Sequence, residues 1–257
     1  MEDESDYYPD WDAYFCQIDG HPASVATDLD FRRFAPLPDK TWLIQISVHL
    51  LDPDGFGFPK SEELETLSAI EDGLACALHE SLEGILVGRA AFHKQRLYFF
   101  YAAHGDAAAA CVAKVMMDFP GYQVELALGT EDQWETYFDF LLPDEREFLR
   151  IQNRKILAEL ELSGDNPEEP RLIKHQILFP DETTRQSFQA NMVIQGFECT
   201  TFQNTVADDM PFILEVSRIE TPTEEKMDHV VLLLWEMAEE SGAEYDGWET
   251  EIKPKKS

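Results

Sequence analysis

The sequence has 257 residues, of which 20 are Lys or Arg and 51 are Asp or Glu, so its formal net charge is −31. A hydrophobic fraction of 44% is ordinary for a folded protein and too high for a disordered one, and the length allows one or two domains. Both halves of the chain are acidic, which disfavours direct binding of nucleic acid or of a membrane surface, because both need Lys and Arg. Any charged partner is therefore expected to be basic.

The first half predicts an α+β domain over residues 1–142. A hairpin turns at Asp19–Gly20, and Ser61 begins a helix whose apolar residues recur at helical spacing. The other predicted elements are strands at 42–50, 85–92, 96–101 and 122–128, a helix at 106–117, and a short aromatic helix after Thr130. This order is typical of an antiparallel sheet with helices on one face.

The second half, residues 143–257, predicts a second antiparallel sheet with helices on one face. A helix over 143–162 either links the halves as a stiff arm or packs as the first element of the second domain, and the Gly- and Pro-containing loop 163–170 is the candidate hinge. The remainder has the order βαββαβ of a ferredoxin-like domain, with strands at 172–179, 197–202, 212–219 and 244–252. Gly196 and Gly242 end its two helices, where glycine supplies the left-handed conformation.

Motifs of catalysis, of nucleotide binding and of metal binding are absent from the sequence, so neither a cofactor nor a metal is expected. The four cysteines lie far apart, which indicates free thiols. The acidic start has no signal-peptide pattern and no apolar run is long enough to cross a bilayer, so we expect a cytoplasmic protein. An alternative is an enzyme or small-molecule-binding site in the first domain, where His49, His93 and His104 would have to share one cleft.

The strongest candidate for a partner site is the segment Tyr245-Asp246-Gly247-Trp248 near the end of the chain. Tyr and Trp are frequent in the energetic centres of interfaces, so the partner-binding candidates are Glu244, Tyr245, Asp246, Trp248 and Glu249. In the alternative interpretation Trp248 fills the core between sheet and helices, and Gly247 permits a bulge.

This segment resembles the end of the regulator of ribonuclease activity B family. The resemblance covers residues 145–252 and extends back through Ser163-Gly164-Asp165, the strand Lys174–Phe179, and Gly196-Phe197-Glu198. The first half resembles a domain family of unknown function that often precedes this one. Pro22-Ala23-Ser24, the helix at Ser61, and Trp134-Glu135-Thr136-Tyr137 carry that second resemblance.

The resemblance implies a non-catalytic regulator that binds a basic protein partner. Members of the regulator family bind ribonuclease E and lower its activity through its basic, largely disordered region, so the partner is expected to be a ribonuclease. This chain departs from them by its extra first domain and by ending in Lys255-Lys256 instead of a long acidic tail. An immunity-type protein that neutralises a basic toxin would need the same acidic surface. Like-charged copies repel, which favours a monomer or a weak dimer.

Overall fold

Two antiparallel sheets organise the chain, which we describe from a computed structural model. The structure describes residues 7–203 and 209–255. It divides the chain into two units, residues 1–144 and 145–257. Each unit combines one sheet with helices, which confirms the predicted α+β class.

The first unit contains a six-stranded sheet with the order β1-β2-β4-β5-β3-β6. Its strands are β1 (Trp11–Ile18), β2 (His21–Asp28), β3 (Trp42–His49), β4 (Ile85–Phe92), β5 (Gln95–Ala102) and β6 (Val124–Thr130). Its helices are α1 (Ser61–Leu82), α2 (Ala108–Met116) and two short ones over Asp30–Arg33 and Thr136–Leu141. Every pair of neighbouring strands in this sheet is antiparallel.

Alternating residues of β5 build a core on each face of the first sheet. Tyr98 and Phe100 pack in the cluster that contains the apolar residues of α1 and α2. Their neighbours Phe99 and Tyr101 point to the opposite face, where Trp134 stacks on Tyr101 with 4.0 Å between ring centroids. The aromatic segment predicted after Thr130 thus covers the face of the sheet that α1 and α2 do not cover.

The second unit contains α3 (Glu145–Leu162), β7 (Arg171–Phe179), α4 (Glu182–Ile194), β8 (Glu198–Gln203), β9 (Phe212–Glu220), α5 (Glu224–Glu240) and β10 (Glu244–Thr250). Its sheet has the order β10-β7-β9-β8, so the first strand lies between the fourth and the third. This is the ferredoxin-like arrangement predicted from the sequence. Gly196 and Gly242 follow α4 and α5 with φ of +85° and +65°.

A buried ion pair holds the loop 163–170 against the end of the chain. The Arg171 guanidinium binds the Asp165 carboxylate with two hydrogen bonds, and both side chains are almost completely buried. Asp165 Oδ1 also accepts a hydrogen bond of 2.7 Å from the backbone N–H of Lys253. The loop predicted as a hinge therefore lies inside the second unit, where this contact fixes it.

Replacing Asp165 by Asn should lower the free energy of unfolding by about 3 kcal/mol, because Arg171 would keep a buried charge without its partner. The Arg171 guanidinium holds the pKa of Asp165 below its usual range. The stabilisation is therefore complete at neutral pH and is lost only as the pH falls below about 4. Urea unfolding at pH 7 and pH 3 measures both effects. Glu168→Gln in the same loop is the control, since Glu168 is exposed, and equal stabilities of the two variants would contradict the account.

Candidate functional site

A β-bulge in β10 divides the Tyr245–Glu249 segment between the two faces of the second sheet. In the pairing with β7, Tyr245 lies opposite Ile177 and Gly247 opposite Gln176, which leaves Asp246 as an extra residue. Gly247 has φ of +112°, a conformation that strongly favours glycine. Tyr245 and Trp248 are three positions apart and would face opposite sides of a regular strand, but the bulge turns both toward the helices.

Tyr245 contacts a buried histidine on the helix side of the sheet. Its hydroxyl oxygen lies 2.8 Å from Nδ1 of His175, and the Nε2 atom of that ring has no partner among the described residues. Burial lowers the pKa of His175 to about 4, and the nearby positive charge of Arg218 acts in the same direction. His175 is therefore neutral at physiological pH. Burial also raises the pKa of Tyr245.

Trp248 anchors the same strand to α3. Its indole N–H donates a hydrogen bond of 2.9 Å to Oδ1 of Asn153, which is 2% exposed. The Asn153 amide in turn donates to Asp228 of α5 at 2.9 Å. Both aromatic residues that the sequence predicts as partner contacts, Tyr245 and Trp248, thus lie on the helix side, as in the alternative interpretation.

All the helices described in the second unit pack on one face of its sheet. We call the other face, which none of these helices covers, the open face. Its residues follow from strand alternation and register, because the buried cluster takes the intervening positions. They are Glu244, Asp246 and Glu249 of β10, Leu172, Lys174, Gln176 and Leu178 of β7, Ile213, Glu215, Ser217 and Ile219 of β9, and Glu198, Thr200 and Phe202 of β8.

The open face combines acidic and apolar rows that run across the strands. There are two central rows. One contains Glu249, Lys174 and Glu198, and the next contains Asp246 and Glu215. Outside them, Leu172 pairs with Ile219 on one side, and Leu178, Ile213 and Phe202 form a row on the other. Ile219 is 70% exposed and Phe202 49% exposed, which is unusual for side chains of this size.

The five carboxylates of the open face are accompanied by one cation, Lys174. Its Nζ atom lies 3.5 Å from Glu215 Oε2 and 3.4 Å from Glu249 Oε1. Beside it, the Gln176 amide donates a hydrogen bond of 3.0 Å to Asp246. A shallow cavity of about 170 Å³ lies at this point, next to the bulge. The sequence indicated Asp246, Glu249 and Glu244 as partner contacts. It gave no signal for Glu215 and Lys174, because these two residues meet the others only through the strand order of the folded sheet.

The three histidines proposed for a cleft in the first domain do not converge. His49 lies 3.0 Å from Glu125 at one end of β3, and the His93 ring lies 4.8 Å from that of His21. His93 precedes β5 and His104 follows it, so about 25 Å of strand separates them. His104 therefore does not share a cleft with His49 and His93, which lie at the other end of the sheet.

A groove of about 850 Å³ does exist elsewhere in the first unit, between Phe34, Leu37 and the Cys76–His79 stretch of α1. Among residues 7–203 and 209–255, no group of three or more His, Cys, Asp or Glu side chains is arranged to hold a metal ion. Within the same residues, no helix has the length and apolar character needed to cross a membrane.

Comparison with known proteins gives two family matches and several solved structures. The model of the family of unknown function DUF695 matches residues 9–142, and that of Regulator of ribonuclease activity B matches residues 150–250. The crystal structure of an unknown protein from Galdieria sulphuraria is 13% identical, with 83% of this chain and 99% of that chain covered and a TM-score of 0.22. No curated protein matches the chain at a significant level.

Trp248→Phe should lower the free energy of unfolding by about 1–2 kcal/mol, because the buried Asn153 oxygen would lose its donor. Denaturant unfolding of the full chain measures this loss. Trp235→Phe provides the control in the same unit, since Trp235 packs beside the same cluster. Full stability of the Trp248 variant would show that the hydrogen bond to Asn153 does not hold β10.

Protonation of His175 should destabilise the protein between about pH 6.5 and pH 4. In this interval the unfolded chain binds a proton at this residue and the folded chain does not, so stability falls as the pH falls. The expected slope is about 1.4 kcal/mol per pH unit. Unfolding curves of the wild type and of His175→Gln across this interval isolate the contribution. Parallel pH dependences of the two proteins would refute the assignment.

Proposed function

Because the chain belongs to the DUF695 family of unknown function and also contains a domain of the regulator of ribonuclease activity B family, we propose that it regulates a ribonuclease. In this proposal the chain catalyses no reaction itself. In this proposal the second unit binds a basic segment of the enzyme. The observation that carries the proposal is the open face, where four of its five carboxylates lie between two rows that contain exposed apolar side chains.

The charge of the open face supports a basic partner. Asp246 and Glu249 of β10 and Glu215 of β9 lie on the two strands that flank β7, and Lys174 of β7 offsets only part of their charge. Such a surface attracts Lys and Arg side chains, accelerates their encounter with it, and repels acidic proteins and nucleic acid. The association should therefore weaken as salt shortens the Debye length from about 10 Å toward 3 Å.

The apolar rows supply the part of the binding free energy that salt does not screen. Leu172 and Ile219 on one side, and Phe202 on the other, are each at least 39% exposed. Their burial by a partner removes apolar surface from water, while the carboxylates between them fix the position of the partner's basic side chains. The surface therefore fits a segment that contains both basic and apolar residues.

Binding of such a segment provides a physical route to inhibition. A ribonuclease holds the phosphates of its RNA substrate with Lys and Arg, and the carboxylates of the open face would occupy the same side chains. RNA and this protein would then compete for one basic segment. No catalytic group is needed in the regulator for this effect.

The test measures binding of the full chain to ribonuclease E and to its isolated basic region, with RNA cleavage followed in parallel. Reversing two charges of the open face, Asp246→Lys with Glu249→Lys, should weaken binding by about tenfold or more and relieve inhibition.

The matched control reverses two exposed charges at the end of α5, Glu239→Lys with Glu240→Lys, which changes the net charge equally. This control should retain most of the affinity. Equal losses in both variants would contradict a specific role for the open face, and absence of wild-type binding to any basic ribonuclease would contradict the proposed function.

A further inference from the structure

Lys174 has an unusual position for a cation on a surface built to attract cations. It lies near the centre of β7, with Glu249 of β10 directly opposite it on one side and Glu215 of β9 diagonal to it on the other. Its ammonium group is within 3.5 Å of an oxygen of each carboxylate. A basic side chain of the protein itself therefore occupies the most acidic part of the open face.

Both ion pairs of Lys174 are weak and easily replaced. Their separations of 3.4 and 3.5 Å exceed the 2.7–2.9 Å of a strong charge-assisted hydrogen bond. The Glu249 side chain is 73% exposed and that of Lys174 is 37% exposed, so water and salt screen the interaction. The flexible lysine stem lets the ammonium group move into solvent without a change in the backbone.

We propose that Lys174 is an internal competitor, which occupies the position that an arginine side chain of the partner takes on binding. This inference rests on the proposed function and specifies its recognition chemistry. The partner's guanidinium displaces the Lys174 ammonium and binds Glu215 and Glu249. Arginine suits this position better than lysine, because its planar fork of N–H donors can bridge the two carboxylates from the strands that flank β7.

The cavity beside the bulge provides the space for this exchange. It measures about 170 Å³ and is lined by Lys174, Gln176, Glu215, Asp246 and Glu249 among others. Asp246 lies at its edge, held by the Gln176 amide, and offers a third carboxylate to an incoming cation. The two glutamates also raise the pKa of Lys174, so it carries its charge throughout the physiological range.

The spacing of the rows defines the partner segment further. Successive rows of the open face are two residues apart along β7, β8 and β9, which corresponds to about 7 Å. An extended peptide that runs along the strands has the same spacing between alternate side chains. The order of the rows, apolar then two acidic then apolar, therefore fits a segment with two alternate arginines between two apolar residues.

The experiment measures the affinity of the full chain for a labelled peptide Leu-Ser-Arg-Ser-Arg-Ser-Leu at about 0.1 M salt, together with a peptide of the same composition in scrambled order. Removing the competitor in Lys174→Gln should tighten binding of the alternating peptide by about fivefold. Lys226→Gln removes an equal charge from an exposed position of α5 in the same unit and should change the affinity by less than about twofold. The scrambled peptide should gain less from Lys174→Gln than the alternating one.

The outcomes separate this inference from the function on which it rests. If wild-type protein binds the ribonuclease but Lys174→Gln binds the peptide no more tightly than wild type, Lys174 is no competitor and the proposed function stands. An equal gain in Lys226→Gln assigns the effect to net charge and also overturns the inference. If neither the peptide nor the ribonuclease binds to any variant, both the inference about Lys174 and the proposed function are contradicted. Combining Glu215→Gln and Glu249→Gln with Lys174→Gln should remove the gain, and a retained gain would contradict the site.

Discussion

The bulge at Asp246–Gly247 is the constraint on which the rest of the second unit depends. One extra residue in β10 places Tyr245 and Trp248 on the same side of the sheet, where they contact His175 and Asn153. The same extra residue directs Asp246 to the other side, next to Gln176. A single backbone irregularity thus separates the aromatic anchors of the strand from its acidic surface, and glycine at 247 permits the required conformation.

The open face shows how an acidic sequence acquires a specific surface. A net charge of −31 promotes solubility and repulsion between copies, but it selects no particular partner. On the open face the strand register brings carboxylates from β9 and β10 around one lysine of β7 and places apolar rows on either side. In the proposed function, selectivity for a partner follows from the order and spacing of these rows.

Periodicity in the sequence was sufficient to predict the α+β class and the βαββαβ order. The family resemblance, which the family matches confirm, came from short motifs such as Tyr245-Asp246-Gly247-Trp248. It could not predict the direction of Tyr245 and Trp248, because alternation reverses at a bulge and sequence alone leaves its presence open. Glu215 and Lys174 were missed since they meet only through the strand order. A common cleft for the three histidines is not formed because His93 and His104 lie at opposite ends of β5, which sequence separation alone does not show.

Amide chemical-shift mapping of the isotope-labelled full chain, titrated with the basic region of a ribonuclease, tests the central claim most directly. The account predicts that the largest shifts occur at Lys174, Gln176, Glu215 and Asp246, with smaller shifts in α4 and α5 on the opposite side of the sheet. Shifts concentrated in those helices or in the first unit, with the open face unchanged, would contradict it.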